Sequence, residues 1–296
     1  MTDNELILND ILDKTRLVLD QYGEENFYIS FSGGMDSTVV SAIVDMARPG
    51  NRIPRVFADT GIELNIVRDF VKTQAAKDDR IVIIRPCRSI IQTLYDYGYP
   101  FKSKVHSKYV NRYQRLGKVT SVKQYLGERD DKEPWSDIVS CPKILRFQFT
   151  DTNKLKISDK CCDMFKKAPM HDWVNTTYKK YAITGVRREE GGGRHNAECL
   201  SFRGGKLKFF QPLTYATDAW ERWLIAAYNI EICDVYYPPY NFTRTGCKGC
   251  PFNCNLQEEL DTLETYFPSE RKQCEIIWKP VYDEYRRLGY RLRKED

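Results

Sequence analysis

Seven residues, Ser32-Gly33-Gly34-Met35-Asp36-Ser37-Thr38, lie between the apolar run Phe27 to Phe31 and the apolar-spaced stretch Val39 to Met46. That order reads as a strand, a glycine turn and the start of a helix. Gly33 and Gly34 let backbone N–H groups come close to an anion. Ser37 and Thr38 fall where the first helical turn leaves donors unsatisfied and the helix dipole is positive. The arrangement suits a chain of phosphates. It differs from the GxxxxGK[ST] loop, because no lysine follows the second glycine and the serine follows an aspartate. A carboxylate at Asp36 would repel a phosphate unless a divalent cation lay between, which predicts Mg2+ bridging Asp36 to the ligand. The plainer alternative is a serine-rich turn that caps an ordinary helix.

Two further polar clusters follow apolar runs. Asp59-Thr60-Gly61-Ile62-Glu63 closes one strand pattern and opens a helix, as a polar ligand contact or simply as a helix cap. Gly185 to Arg194 brings three arginines, Arg187, Arg188 and Arg194, together with four glycines at another strand end. Guanidinium pairs bidentately with phosphate and glycine lets a loop close, so this loop suits a polyanion. The alternative is a solvated loop whose arginines pair with Glu189 and Glu190.

Cysteine is the other reactive type. The polar start Met1-Thr2-Asp3-Asn4-Glu5 and the lack of an apolar run near the roughly 20 residues of a membrane span predict a cytoplasmic chain with no membrane partner. Ten cysteines in that setting point to metal or redox chemistry rather than disulfides. Cys161 and Cys162 are adjacent, and Cys247, Cys250 and Cys254 cluster beside Gly246, Gly249 and Pro251. The turn Cys247-Lys248-Gly249-Cys250 would present two thiolates to one centre, and on spacing alone zinc suits it as well as iron. Cys87, Cys141, Cys199, Cys233 and Cys274 are scattered and read as small buried apolar residues. His106, His171 and His195 show no paired-ligand spacing.

Alternating strand and helix patterns must position these groups. An N-terminal helix presents Leu6, Ile7, Ile11, Leu12, Val18 and Leu19. Strands are predicted at 27–31, 54–58, 81–85, 181–184 and 209–210, with helices at 37–47, 64–76 and 89–97 between them. This predicts a parallel α/β sheet with right-handed crossovers, whose ligands lie beyond the carboxyl ends of its strands. Trp220 and Trp223, three apart, read as packing residues. With 296 residues and 42% hydrophobic content the chain can bury a full core, and a net charge of +5 is modest. Four segments are expected: 1–100 and 161–232 as two parts of the α/β domain, 101–160 as a basic insertion, and 233–296 as a small cysteine-rich metal-binding region. The insertion carries Lys102, Lys104, Lys108, Arg112, Arg115, Lys118 and Lys123, interleaved with Tyr109, Tyr113 and Tyr125. That pattern suits a nucleic-acid backbone with bases stacked on rings. It equally suits a solvated helical insertion balanced by Glu128, Asp130, Asp131 and Glu133.

The Ser32–Thr38 loop resembles the PP-loop of the adenine-nucleotide alpha-hydrolase-like ATP pyrophosphatases. The Asp59-Thr60-Gly61 segment, the arginine loop, and the run Pro212-Leu213, Asp218, Trp220 and Tyr236 to Gly246 are similar to the PAPS reductase branch of that superfamily. The resemblance implies a Rossmann-like, HUP-type sheet that binds ATP and Mg2+ through Ser32, Gly33, Gly34, Asp36, Ser37 and Thr38, with Asp59, Thr60, Gly61 and Gly185 beside them. It implies cleavage to AMP and pyrophosphate, with Arg187, Arg188 and Arg194 steadying the leaving group and an acceptor becoming adenylylated. Sulfur transfer, for instance nucleic-acid thiolation with a sulfur donor protein, follows in similar enzymes. The cysteines resemble the iron–sulfur signature of assimilatory adenylylsulfate reductases. That implies a [4Fe–4S] cluster on Cys161, Cys162, Cys247 and Cys250, with Cys254 able to replace Cys161 and zinc as the alternative metal. Two other readings stand beside this one. A sulfonucleotide reductase would need Cys254 or Cys274 as its nucleophile, since the sequence to Asp296 has no ECGLH-like motif. A non-catalytic, zinc-stabilised nucleic-acid-binding module would release no pyrophosphate.

Overall fold

The structure, a computed structural model, describes residues 1–128 and 140–294. Asp130, Asp131 and Glu133, offered above as balancing charges, lie outside the described residues. In chain order the first elements are helix α1 (Asp3–Tyr22), strand β1 (Phe27–Ser30), α2 (Met35–Ala47), β2 (Arg55–Ala58), α3 (Asn65–Lys77) and β3 (Ile81–Ile84). Then come α4 (Ile90–Tyr97), α5 (Lys104–Leu116), α6 (Thr120–Leu126), α7 (Lys160–Cys162) and α8 (Ala168–Thr177). Strands β4 (Tyr181–Ile183), β5 (Leu200–Arg203) and β6 (Lys206–Phe210) precede α9 (Asp218–Tyr228), α10 (Leu256–Tyr266) and α11 (Pro268–Leu288).

The chain divides into two compact units: residues 1–85 with 168–245, and residues 86–167 with 246–296. In the first unit the described strands form one six-stranded sheet in the order β3-β2-β1-β4-β6-β5. Every neighbouring pair is parallel except β5 with β6. Strand order reverses between β1 and β4, and a crevice opens beyond the carboxyl ends of strands at such a point. The Ser32 loop follows β1 and the Arg187 loop follows β4, so topology alone brings the two polar clusters to one rim. Strand β5 was not expected. It is an edge strand closed onto β6 by Gly204-Gly205, both at positive φ, the two-residue turn that glycine pairs favour.

The N-terminal helix starts on a capping box: Glu5 N–H donates to Thr2 Oγ1 at 3.3 Å and Thr2 N–H donates to Glu5 Oε2 at 2.7 Å. Its buried stripe is Leu8, Ile11, Thr15, Val18 and Leu19, a 3.6-residue spacing. Leu6 and Ile7, expected on that stripe, are exposed.

The second unit has an aromatic core. His106 is fully buried, with Nδ1 2.9 Å from Tyr125 Oη and Nε2 2.6 Å from Gln148 Oε1. Tyr125 is buried and stacks on Tyr109 at 4.4 Å, and Tyr113 packs against Phe149. Tyr125 is therefore a core residue, while Tyr109 and Tyr113 are half-buried beside it. Lys104, Lys108 and Arg115 fall within one stripe of α5 and are exposed, whereas Arg112 donates to Ser121 and Lys118 pairs with Glu128. Cys141, Cys233 and Cys274 are buried as expected, but Cys87 is exposed and Cys199 half-buried. No described helix is long and apolar enough to cross a membrane.

Burial lowers the pKa of His106 from 6.5 to about 4. The native state therefore binds fewer protons than the unfolded chain between those values. Stability is full above pH 6.5 and falls as pH drops toward 4. A loss of about 3 kcal/mol over that window is expected by chemical denaturation. A His106→Gln variant should lack that slope; an unchanged slope would contradict this account of the buried imidazole.

Candidate functional site

Gly34 caps α2, and the serine and threonine that follow turn inward to tie the loop. Ser37 Oγ and Thr38 Oγ1 donate to the Gly34 carbonyl at 2.9 and 3.0 Å. Ser32 N–H donates to Ser37 Oγ at 3.1 Å, and Gly34 N–H donates to Ser32 Oγ at 3.3 Å. The loop is thus held by its own hydroxyls, while the N–H groups of Asp36 and Ser37 fall in the first turn, where a helix offers them no acceptor. Met35 N–H instead donates to Tyr236 Oη at 3.1 Å, and that hydroxyl also bonds Thr245 Oγ1 at 3.0 Å. Burial pushes the Tyr236 hydroxyl up to about 12, so it stays neutral. Tyr236 and Thr245 were not chosen as site residues from sequence, because no local pattern ties them to Met35.

Three glycines make this packing possible. Gly33 has φ +70°, and a Cβ there would lie 2.6 Å from Val71 Cγ2. At Gly34 it would lie 2.9 Å from Thr245 Oγ1, and at Gly185 2.8 Å from the backbone of Asp36. The end of β4 therefore touches the main chain of α2 directly.

Arg187 joins the two loops electrostatically. Its Nε donates to Asp36 Oδ1 at 2.8 Å, Nη1 to Glu189 at 3.0 Å and Nη2 to Asp218 at 2.5 Å. The repulsion that argued for magnesium is thus relieved inside the protein by a guanidinium. Among the described residues no group of three or more His, Cys, Asp or Glu side chains gathers to hold a metal ion. A Mg2+ ion fits only as Asp36 plus the ligand's own phosphates, a common arrangement for this ion.

The other predicted site residues divide. Arg194 pairs with Glu190 and lies within electrostatic reach of Asp36, Arg187 and Arg244; burial, then the like charge of Arg244, lowers its pKa. Arg244 joins this cationic group although the sequence reading passed over it. Arg188 does not: its Nε donates to the Ala197 carbonyl at 2.6 Å and its guanidinium lies 4.6 Å over the Tyr215 ring. Asp59 accepts both Arg68 Nε at 2.8 Å and Nη2 at 3.0 Å. Burial there opposes ionisation, but the Arg68 bonds and charge outweigh it, and the Asp59 pKa is lowered. Thr60 Oγ1 donates to the buried Glu63 at 2.7 Å, and Gly61 leaves open space around its Cα. This segment is satisfied largely from within.

In the second unit, Cys161 lies within electrostatic reach of Cys162, Cys247 and Cys250, and Cys250 within reach of Cys162 and Cys247. A hydrogen bond from the Cys161 thiol lowers Cys162 to about 6, helped by Lys104 and Lys166, and holds Cys161 protonated. Burial raises Cys250. Cys254 is turned elsewhere: it is exposed and accepts from Arg291 Nη2 at 3.6 Å. The knuckle is fixed by α11. Trp278 Nε1 donates to the Lys248 carbonyl at 3.0 Å, Tyr282 Oη to that of Gly249 and Tyr285 Oη to that of Pro251 at 2.9 Å. Lys248 itself is buried against Glu270 at 2.9 Å. These four thiols lie on two chain segments of this unit, with Cys254 turned away from them.

The model of the phosphoadenosine phosphosulfate reductase domain family matches residues 26–136 and 141–253. The chain belongs to this family. The phosphoadenylyl-sulfate reductase from Candida auris is 13% identical, with a TM-score of 0.40 over 76% of this chain and 88% of that one. The NH3-dependent NAD synthetase from Campylobacter jejuni is 13% identical, with a TM-score of 0.41 over 98% and 97%. The U34-tRNA thiolase NcsA from Methanococcus maripaludis, which carries a [4Fe–4S] cluster, is 13% identical, with a TM-score of 0.36 over 97% and 80%. No curated protein sequence matches the chain.

The close approach at Gly185 has a direct consequence. Gly185→Ala should destabilise by about 1–3 kcal/mol, because a methyl group would meet the Asp36 backbone. Gly193→Ala, with no neighbouring atom in the way, should change stability by less than about 0.5 kcal/mol. Equal effects in denaturant melts would contradict the packing described.

Proposed function

We propose that this PAPS reductase family protein binds ATP with Mg2+ at the α2 N-terminus and cleaves it to AMP and pyrophosphate, transferring the adenylyl group to an acceptor destined for sulfur transfer. The observation that carries the reading is the junction of β1–α2 with β4. Glycines admit backbone to backbone there, Arg187 neutralises Asp36, and Arg194 and Arg244 add positive charge. First-turn N–H groups and arginines would hold the phosphates in a fixed field, so little reorganisation is needed as charge moves onto pyrophosphate. Asp36 would share the Mg2+ with those phosphates. Cys161, Cys162, Cys247 and Cys250 would hold a [4Fe–4S] cluster in preference to zinc, supplying a site for the sulfur donor. A nucleic-acid acceptor is the reading we favour, its backbone running along Lys104, Lys108 and Arg115 of α5.

The reductase reading keeps one observation in its favour, the exposed Cys254 beside Arg291. Cys274 cannot serve in it, because it is fully buried against Gly249 and burial pushes its thiol to about 12.

Anaerobically purified protein should release pyrophosphate from ATP with Mg2+ only when an RNA or DNA acceptor is present. Arg187→Met should slow that release by about 100-fold or more. Release of sulfite from PAPS or adenylylsulfate, with no pyrophosphate from ATP, would establish the reductase instead. Nucleic-acid binding by a colourless zinc protein without turnover would establish the binding module.

A further inference from the structure

A pocket of about 400 Å3 opens beside the first residue of α2, and none of the residues assigned to phosphate lines it. That volume is in the range of small-molecule sites. Its floor is apolar: Met35, Ile225 and Ile232 line it and are buried. Arg222, Ile225 and Asn229 follow one another three and four residues apart along α9 and its C-cap, which puts them on one stripe. Arg222 and Asn229 are exposed, and among the described residues neither side chain has a hydrogen-bond or ion-pair partner. The ring of Tyr237, also exposed, completes the wall. One end of the pocket thus offers an uncompensated cation. The other offers an amide at the end of a helix whose last carbonyls lack intrahelical donors. The seven residues from Arg222 to Asn229 span roughly 10 Å along the helix axis.

We propose that this pocket holds one nucleotide unit, a base with its phosphate, distinct from the ATP whose phosphates lie at α2. The inference rests on the reading of α2 as the phosphate site and deepens it, by placing a nucleotide of the nucleic-acid acceptor at Met35, one residue from Asp36. Charge selects the anionic end, since the free Arg222 guanidinium pairs bidentately with phosphate. The apolar floor and the Tyr237 ring take the faces of a planar base. Asn229 and the carbonyls at the end of α9 meet its edge, and they favour a base whose exocyclic amino group donates. Met35 N–H donates to Tyr236 Oη, and Tyr237 follows that tyrosine, so an occupant bears on the same loop that holds the phosphates.

The experiment is a calorimetric titration of cytidine monophosphate into the protein in the presence of excess non-hydrolysable ATP analogue and Mg2+, so that the α2 site is already filled. Cytidine, which lacks the phosphate, and a cytidine tetranucleotide are titrated in parallel. The monophosphate should bind the unsubstituted protein. Arg222→Gln should weaken it about tenfold or more and leave cytidine within about threefold, since only the phosphate contact is lost. Tyr237→Ala should weaken both ligands about tenfold, whereas Tyr237→Phe, which keeps the ring, should weaken neither. Competition by the tetranucleotide assigns the pocket to the acceptor strand. Monophosphate binding without that competition assigns it to a free nucleotide and removes the acceptor from it. Failure of the monophosphate to bind, or equal binding by all variants, overturns the inference. If the monophosphate binds as expected but a separate titration shows no binding of the ATP analogue, the pocket stands and the phosphate-site reading has failed.

Discussion

Arg187 is the constraint on which the first unit's site depends. One guanidinium meets Asp36, Glu189 and Asp218 by hydrogen bonds and Glu221 at ion-pair distance. Its side chain is nearly excluded from water, and so is Glu221, so these charges are compensated inside the protein rather than by solvent. Removing Arg187 leaves the buried Glu221 without its cation, at a cost of about 3–5 kcal/mol. The same contact pins the loop after β4 to the first turn of α2. Positive charge from Arg194 and Arg244 can then face an anion without Asp36 opposing it.

The second unit solves a similar problem by other means. The Cys247–Cys250 turn has its carbonyls at Lys248, Gly249 and Pro251 tied to Trp278, Tyr282 and Tyr285, three residues on one stripe of α11. Gly249 sits at φ +59°, and a Cβ there would lie 2.3 Å from Tyr282 Oη. A turn held this way presents its thiols in a set geometry. The Lys248–Glu270 pair lies within the same packing and satisfies a charge that could not otherwise be buried.

Much of the first unit was readable in sequence because its determinants are local. Strand, glycine turn and helix start follow one another within Phe27 to Met46, and the arginine loop directly follows β4. What could not be read depends on residues far apart in the chain. Tyr236 lies 201 positions from the Met35 amide that it caps, and Arg187 lies 151 from Asp36. Glu221 looks like any charged residue on an amphipathic helix until its burial is seen. The tyrosines of α5 and α6 carried a pattern that serves base stacking and core packing equally, and burial assigns Tyr125 to the core. Arg188 and Arg194 were indistinguishable by type, yet one stacks on Tyr215 and the other stays near Asp36.

The central claim is that the first turn of α2 holds phosphate through main-chain amides. The most direct measurement is hydrogen exchange of the Asp36 and Ser37 amides, followed by NMR, with and without a non-hydrolysable ATP analogue and Mg2+. The account predicts that both amides shift and gain protection when the nucleotide is added. Unchanged amides there, with nucleotide-dependent shifts confined to other parts of the chain, would contradict it.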